Sequence, residues 1–566
     1  MKIVRRTAQC ELMQGIDPLL AKIYAHRNVS DPKLLERGLG NLVSPVDLPD
    51  IQLAANRLAD AIENGEHILI VGDFDADGAT SVALCKLILD RFGAAQVNYL
   101  VPNRFEFGYG LSPEIVDLAQ SLNPQVIVTV DNGVASVAGV ARANEYGIDV
   151  IVTDHHLPGE QRPDCLALVN PNLPESHFSS KSMAGVGVAY YVMSALRSEL
   201  RRREWFVNRD EPNLADYLDL VALGTVADVV PLDANNRRLV HQGIARMRAG
   251  RCRPGIKALV EIGKRQLAKL GAQDLGFVVG PRLNAAGRLE DMAIGIKCLL
   301  ADTLGEARSL AQALDQLNRT RRELEADMVG DAELLLATDA ADDSRVGLCV
   351  YHESFHQGVV GIVAGRLRER FNKPAIVFAD AGSIAADELK GSARSIDGLH
   401  IRDVLDQIAT QHPGLLLKFG GHAMAAGMSI KRVHFERFGV IFDKVVRTHV
   451  SDAMLEAELG SDGALREEDI NLSLVHALND GGPWGSAFPE PLFDGEFEVV
   501  SQRVVGQTHL KLVLKYGARV VDAIAFRQPP LPSGTERVEV AFKLQENDYG
   551  QVPTVQLVVE YLQPLA

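Results

Sequence analysis

Six cysteines in 566 residues, with no Cys-x-x-Cys pair among them, exclude a disulfide framework and a zinc knuckle. Cys10, Cys85, Cys165, Cys252, Cys298 and Cys349 read as reduced, structural thiols. No run of about 18 apolar residues occurs, so no membrane helix is expected. The start, Met1-Lys-Ile-Val-Arg-Arg, lacks the apolar stretch of a signal peptide. A soluble, cytoplasmic chain with no membrane association is the expectation. Positive charge is also short: 58 Lys and Arg face 74 Asp and Glu, for a net charge of −16. That balance speaks against a polyanionic partner, because non-specific nucleic-acid binding rests on clustered cations. Where the cations lie matters more than their sum. Clusters persist at Arg197–Arg203, at Arg251 and Arg253, and at Arg319, Arg321 and Arg322. The default reading of each is a solvated helix face.

With 47% hydrophobic and 23% charged residues, the chain can bury several cores, and its length suggests about three or four domains. Residues 1–45 read as a helical lead-in with poor periodicity. From His67 apolar strands alternate with amphipathic helices: 68–72, helix 79–92, 97–101, helix 113–122, 125–130 and 149–153. This pattern predicts a parallel, doubly wound sheet. Helices near 184–200 and 214–227 continue the lobe, which is assigned to 46–300.

Four acidic or histidine clusters punctuate this lobe, each placed after an apolar segment of strand type: Asp73-Phe-Asp75-Ala-Asp77-Gly78, Asp131-Asn132-Gly133, Asp154-His155-His156, and Asp228 in Gly-Thr-Val-Ala-Asp. Read another way, the 214–227 helix delivers Asp228 near its end. Ligands of open α/β sheets sit outside the carboxyl ends of the strands, so these side chains are expected to converge. Five or more converging carboxylates would repel one another and stay partly protonated unless divalent cations neutralised them. A dinuclear cation site is therefore expected. Mixed oxygen and imidazole ligands suit Mn²⁺, with Mg²⁺, Co²⁺ or Zn²⁺ open, and a mostly carboxylate set leans to Mn²⁺ or Mg²⁺. Blander readings exist. Asp73-x-Asp75-x-Asp77-Gly78 copies half an EF-hand loop, but Leu84 stands where that loop needs Glu. Ala79 stands where an aspartate-nucleophile phosphatase has Thr. A single Asp after a strand is more often a cap or turn former, and Asp154 reads either that way or as an orienting group.

Residues 303–337 carry Leu310, Leu314, Leu317, Leu324 and Met328 at 3/4 spacing without proline, which predicts a long helix. At 301–340 it would join two lobes or serve as a core helix of one. A second α/β lobe follows at 341–450, with glycine-bearing segments at Gly358–Gly365, Gly391-Ser392-Ala-Arg394-Ser395 and Gly420-Gly421-His422 to Gly427. Glycines before a helix let backbone N–H groups approach a phosphate. Ser392, Arg394 and His422 add side-chain donors. Residues 451–566 alternate in antiparallel fashion and predict an OB-like barrel. Lys511, Lys515, Arg519 and Lys543 would form a basic face, with Tyr516, Phe526 and Phe542 as stacking platforms or, more often at such positions, core.

The ordered set resembles the DHH phosphoesterase superfamily, and within it the bacterial RecJ branch of single-strand-specific 5′→3′ exonucleases. The motifs are 73–78, 130–133, 153–156, 224–228, Gly-Pro-Arg-Leu-Asn-Ala-Ala-Gly-Arg at 280–288, 391–395 and 420–422, followed by the terminal barrel. The resemblance implies a DHH lobe with a parallel sheet, a connecting helix, a DHHA1-type lobe and an OB-type barrel. It implies that Asp75, Asp77, Asp131, His155 and Asp228 ligate two divalent cations, Mn²⁺ or Mg²⁺, with Asp131 bridging and Asp73 a less uniform ligand. His156 would touch the scissile phosphate or assist proton transfer, and Asp154 would orient its neighbours. Arg104, Arg282, Asn284, Arg288, Ser392, Arg394 and His422 would hold the 5′-phosphate and adjoining backbone, with His422 in a motif facing the metals. The implied activity is hydrolysis of single-stranded DNA from the 5′ end to mononucleotides, in repair and recombination. A monomer is expected, with a single-strand-binding protein and a RecQ-type helicase as partners. A narrow passage between two lobes would exclude a duplex. The alternatives are a DHH enzyme acting on small molecules or very short oligonucleotides, which would not need the 280–288 segment or the barrel, and a replication scaffold, which would have lost metal ligands.

Overall fold

The structure is a computed structural model that describes residues 2–103, 110–338, 345–382, 387–506, 508–548 and 552–565. Its contacts divide the chain into two units, one of residues 3–315 with 460–566 and one of residues 316–459 with the first two residues. The helix Leu304–Thr338 carries residues of both. The stretch read as a helical lead-in opens with a strand, β1 (Lys2–Arg5), before helix α1 (Pro18–Ala25). No helix of the described residues is long and apolar enough to cross a membrane.

After α2 (Ile51–Asn64) come β2 (His67–Val71), α3 (Ala76–Phe92), β3 (Gln96–Leu100), α4 (Pro113–Gln120), β4 (Val126–Val130), α5 (Val137–Glu145), β5 (Asp149–Thr153) and β6 (Ala167–Val169). The strands form one sheet of order β3-β2-β4-β5-β6, parallel at every pairing. β2 and β4 are buried along their whole length. Helices cover both faces of such a sheet, which is why these strands read as unbroken Val/Ile runs rather than alternations. The strand order reverses between β2 and β4. Their carboxyl ends therefore open the crevice of a doubly wound sheet, the place where ligands bind. Helices α6 (Gly185–Arg202) and α7 (Leu218–Ala227) complete the wall of this crevice.

In the other unit β7 (Leu348–Tyr351), β8 (Ala375–Asp380), β9 (Glu388–Arg394), β10 (Lys418–Gly421) and β11 (Ala425–Lys431) form a mixed sheet of order β10-β11-β9-β8-β7. Phe378, Phe438 and Phe442 fill its core. After β12 (Glu458–Ser461), the strands β13 (Phe493–Val505), β14 (His509–Tyr516), β15 (Arg519–Ala525), β16 (Arg537–Asn547) and β17 (Thr554–Leu565) close into a barrel of order β13-β14-β15-β17-β16. The OB expectation holds.

The expected basic face of the barrel does not. Lys511 pairs with Asp522, Lys515 with Glu498, and Lys543 with Glu490 and Glu560. Lys515 faces Glu498 directly across β13 and β14, while Asp522 and Glu560 lie diagonally to their lysines on neighbouring strands and Glu490 precedes the barrel, so the sequence holds every member of these pairs but not the pairing. Phe542 is core, and Tyr516 packs on Phe497 with ring centroids 4.9 Å apart. Phe526, 56% exposed and edge-on to His509, alone of the three keeps an open aromatic surface. Arginine clusters elsewhere are also largely spent. Arg197 and Arg201 pair with Glu211, Arg202 and Arg203 with Glu199, Arg253 with Asp219, and Arg321 with Glu325.

Candidate metal centre

Asp73, Phe74 and Asp75 form a short link from β2 to α3. Asp75 is the N-cap of α3, and its Oδ1 accepts from Gly78 N–H at 2.9 Å. The helix begins at Ala76, and Leu84 is buried within it, so no EF-hand loop exists here. Asp77, in the first turn and buried, accepts through Oδ2 from Gly185 N–H at 2.6 Å and through Oδ1 from Val186 N–H at 3.0 Å. The amino end of α6, with its positive dipole, thus holds this carboxylate.

Asp131 follows β4 with φ +61°. That left-handed backbone is costly for a non-glycine residue and persists only where the surroundings impose it. Asn132 fixes the turn by donating from Nδ2 to Val71 O and Val130 O. A Cβ at Gly185 would come within 2.6 Å of Asp131 Oδ1, so only glycine admits the carboxylate at this close approach. Asp154 follows β5 and is wholly given to orientation. Its Oδ1 accepts from His155 N–H, His156 N–H and His156 Nδ1–H, and its Oδ2 accepts from Val134 N–H. All four of these bonds hold neighbouring groups in place, as an orienting carboxylate would. Asp228 is not at a strand end but caps the carboxyl end of α7.

These pieces meet. His155 Nε2 lies 3.1 Å from Asp131 Oδ1 and 3.5 Å from Asp228 Oδ2. Three overlapping groups, Asp131 with His155 and His156, Asp77 with His155 and Asp228, and Asp73 with Asp75 and Asp131, each bring one donor atom per residue within 4.8 Å of the others. Asp131 and His155 each belong to two of them; a carboxylate such as Asp131 has oxygens enough for two neighbouring cations, whereas the single lone pair of His155 Nε2 serves one. Asp73 joins the set.

The electrostatics agree with a cation site. Burial, then the Coulomb repulsion of neighbouring carboxylates, raises Asp77 and Asp131 well above the usual carboxylate range and lifts Asp228 to about 7. Burial lowers His155 to about 4, keeping its imidazole neutral and fit to ligate. Burial also acts to lower His156, yet the hydrogen bond and charge of Asp154 hold it at about 9. His155 Nε2 and Asp228 Oδ2 are buried without a hydrogen-bond partner. Buried polar atoms are normally satisfied, and oxygen-rich donors with one neutral imidazole match Mn²⁺ or Mg²⁺ in chemistry.

The substrate-side residues fall differently. Arg104 lies outside the described residues. Arg282 is bound through Nε and Nη2 to Asp315 and through Nη1 to Val278 O. Asn284 Oδ1 accepts from Ala76 N–H at 2.7 Å, at the first residue of α3 between Asp75 and Asp77. Arg288 is partly buried on the same helix, Gly280–Leu289. In the other unit, β9 lies beside β11, so Ser392 pairs with Gly427, which in turn pairs with Gly420 of β10. Of the three glycine segments only the first leads into a helix, Val360–Phe371, while the other two lie on strands and their hairpin. The expectation of helix-end phosphate sites at 391–395 and 420–427 is thus corrected. Arg394 donates to Ser392 Oγ and Ala393 O, and no carboxylate among the described residues pairs with it. Burial, with the positive charge of Arg368 nearby, lowers its pKa. His422 is exposed in the β10–β11 turn. Sequence reasoning passed over Asn170 and Asn172, whose side chains donate to His156 O and His155 O from 14 and 17 positions on, because isolated asparagines carry no motif.

Residues 67–225 match the DHH family, N-terminal domain; 344–448 match the DHHA1 domain; and 461–561 match the RecJ OB domain. The chain is 51% identical to the single-stranded-DNA-specific exonuclease RecJ of Salmonella typhimurium, over 98% of this chain and 97% of that one. The chain belongs to the RecJ family. Among solved structures it is similar to RecJ of Thermus thermophilus in complex with Mn²⁺, with a TM-score of 0.81, 30% identity, and coverage of 97% of this chain and 76% of that one. The Mg²⁺ complex of that RecJ matches with a TM-score of 0.74 at 28% identity, over 97% of this chain and 75% of that one.

Proposed function

We propose that the protein is a single-stranded-DNA-specific 5′→3′ exonuclease that releases 5′-mononucleotides by two-metal-ion hydrolysis, acting in DNA repair and recombination. The observation that carries this reading is Asp131. It sits at the switch point of the parallel sheet, in a strained turn, with donor groups on both sides of it in a chain of the RecJ family. Asp73, Asp75, Asp77, Asp131, His155 and Asp228 would hold two divalent cations, Mn²⁺ or Mg²⁺. When bound, such a pair supplies an activated water and neutralises charge on the leaving oxygen. His156, kept cationic at neutral pH by Asp154, offers a charged N–H to a phosphate oxygen. Ser392 and Arg394 would take the terminal phosphate, and a held end fixes which phosphodiester is cut. Arg282, Arg288, His422 and Arg104 complete the substrate set in the same reading.

The family matches support the proposed division into a lead-in at 1–45, a DHH lobe at 46–300, a connecting helix at 301–340, a DHHA1-type lobe at 341–450 and an OB-like lobe at 451–566. A monomer, cytoplasmic location, and partnership with a single-strand-binding protein and a RecQ-type helicase belong to this reading on family membership alone.

The test is digestion, with Mn²⁺ or Mg²⁺, of single-stranded DNA labelled at its 5′ or its 3′ end, beside a blunt duplex. Early release of 5′-labelled mononucleotide with an inert duplex is expected. An intact long strand with cleavage of dinucleotides or pyrophosphate would replace this reading with the small-molecule one. In the same assay Arg394→Ala is expected to raise KM for a 5′-phosphorylated strand by about 10-fold or more, since each charge-assisted phosphate contact contributes on the order of 1.5–3 kcal/mol, and to erase the advantage of a 5′-phosphate over a 5′-hydroxyl. An unchanged preference would remove Arg394 from the phosphate site.

A further inference from the structure

The 280–288 motif reaches the metal centre in a way its assigned substrate role does not require. Asn284 Oδ1 accepts the N–H of Ala76, the residue between Asp75 and Asp77 and the first of α3. The opening N–H groups of a helix have no partner within it. Here one of them is satisfied by a side chain more than 200 positions away in sequence. One turn further on, a Cβ added at Gly287 would overlap the carbonyl oxygen of Phe74, the residue between Asp73 and Asp75. The helix therefore touches the ligand loop twice, at each gap between its three carboxylates.

The same segment also meets the other side of the centre. It enters the 280–289 helix through a π-turn, Leu275–Val279, a form that concentrates at functional sites. A Cβ at Gly276 would lie 3.3 Å from Val226 Cγ1, and one at Gly280 would lie 3.1 Å from Ala227 Cβ. Val226 and Ala227 immediately precede Asp228. One continuous segment thus abuts both the 73–77 loop and the end of α7.

We propose that Asn284 and Gly287 are positioning residues of the metal centre, clamping the Asp73–Asp77 loop at its spacing from Asp228, rather than contacts to DNA. The inference rests on the two-metal reading above. Asn284→Leu removes the acceptor while keeping the branched side-chain shape, Gly287→Ala pushes the same loop from the other contact, and Asn284→Asp keeps an acceptor. Mn²⁺ binding is read directly on the full chain from the free-ion EPR signal, and KM for single-stranded DNA is read at saturating Mn²⁺. Asn284→Leu and Gly287→Ala are expected to weaken Mn²⁺ binding by about 10- to 100-fold, the usual cost of losing a group that orients ligands, with KM for DNA unchanged once the metal is saturating. Asn284→Asp is expected to recover most of the Mn²⁺ affinity. Wild-type Mn²⁺ binding in Asn284→Leu with a raised KM for DNA would overturn the clamp and return Asn284 to the substrate. If Asn284→Leu and Gly287→Ala fail to fold, Asn284→Asp decides: a KM for single-stranded DNA at saturating Mn²⁺ equal to that of the wild type supports the clamp, and a raised KM overturns it. A wild-type chain that binds no Mn²⁺ would instead overturn the metal centre beneath it.

Discussion

Asp131→Asn is expected to lower the rate on single-stranded DNA by about 10³-fold or more, equivalent to about 4 kcal/mol of barrier, while making the metal-free protein more stable. The two effects share one cause. Asp131 is 2% exposed, and burial with four neighbouring carboxylates raises its pKa far above the unfolded value. An acid with a raised folded pKa costs stability at every pH above its unfolded value of about 4, and the cost grows until the folded pKa is passed. The neutral amide escapes that cost. The melting temperature of the metal-free variant should exceed that of the metal-free wild type by roughly a few degrees, more at pH 8 than at pH 5. Added Mn²⁺ should reverse the order, because an ion that binds only the native state stabilises it by about 2.7 kcal/mol at a hundredfold excess over Kd, and the variant has lost the shared ligand. Calorimetry of both proteins with chelator and with Mn²⁺ decides this. A variant less stable than wild type without metal would show Asp131 to be a structural residue.

Asp154→Asn is the second large effect, and it acts without touching a metal. All four groups around the carboxylate are N–H donors: the backbones of Val134, His155 and His156, and the His156 ring. An amide must turn its own NH₂ toward one or more of them whichever way it is set. An unsatisfied buried donor costs about 1–3 kcal/mol, and loss of a group that orients a metal-ligating histidine costs typically 10- to 100-fold in affinity or activity. His156 should also fall from about 9 toward an ordinary imidazole value, since Asp154 is what holds it up against burial. NMR titration of the His156 ring in the metal-free protein, beside Mn²⁺ binding and kcat, reads all three. An unshifted His156 in the Asp154→Asn protein would place the source of its charge elsewhere, in Asp228 or Asp73.

The sheet was legible because strands buried on both faces write themselves as unbroken runs such as Ile68–Val71 and Val126–Val130, and the meeting of Asp73, Asp75, Asp131 and His155 because their loops follow such runs. Asp228 came less cleanly: its approach, Leu218–Ala227, is so apolar that strand and buried helix look alike over a short window. What pairs with what was not legible. Lys511, Lys515 and Lys543 looked like a basic face until their carboxylates appeared across the barrel. Asn284 entered the substrate set through the resemblance alone, and nothing in the sequence reveals that Ala76 N–H lies 2.7 Å from it. Residue type is written in the chain, whereas a partner, whether tens of positions away or 208 as for Asn284 and Ala76, is a property of the fold.

The dinuclear centre is tested most directly by loading the metal-free chain with Mn²⁺ and recording its stoichiometry together with the low-temperature EPR spectrum. Two ions per chain with an exchange-coupled spectrum, reduced to one ion or none in Asp131→Asn, is the expected result, because shared ligation by Asp131 would place the ions only about 3.5–4 Å apart. A single ion per chain with an isolated six-line spectrum, unaffected by Asp131→Asn, would contradict it.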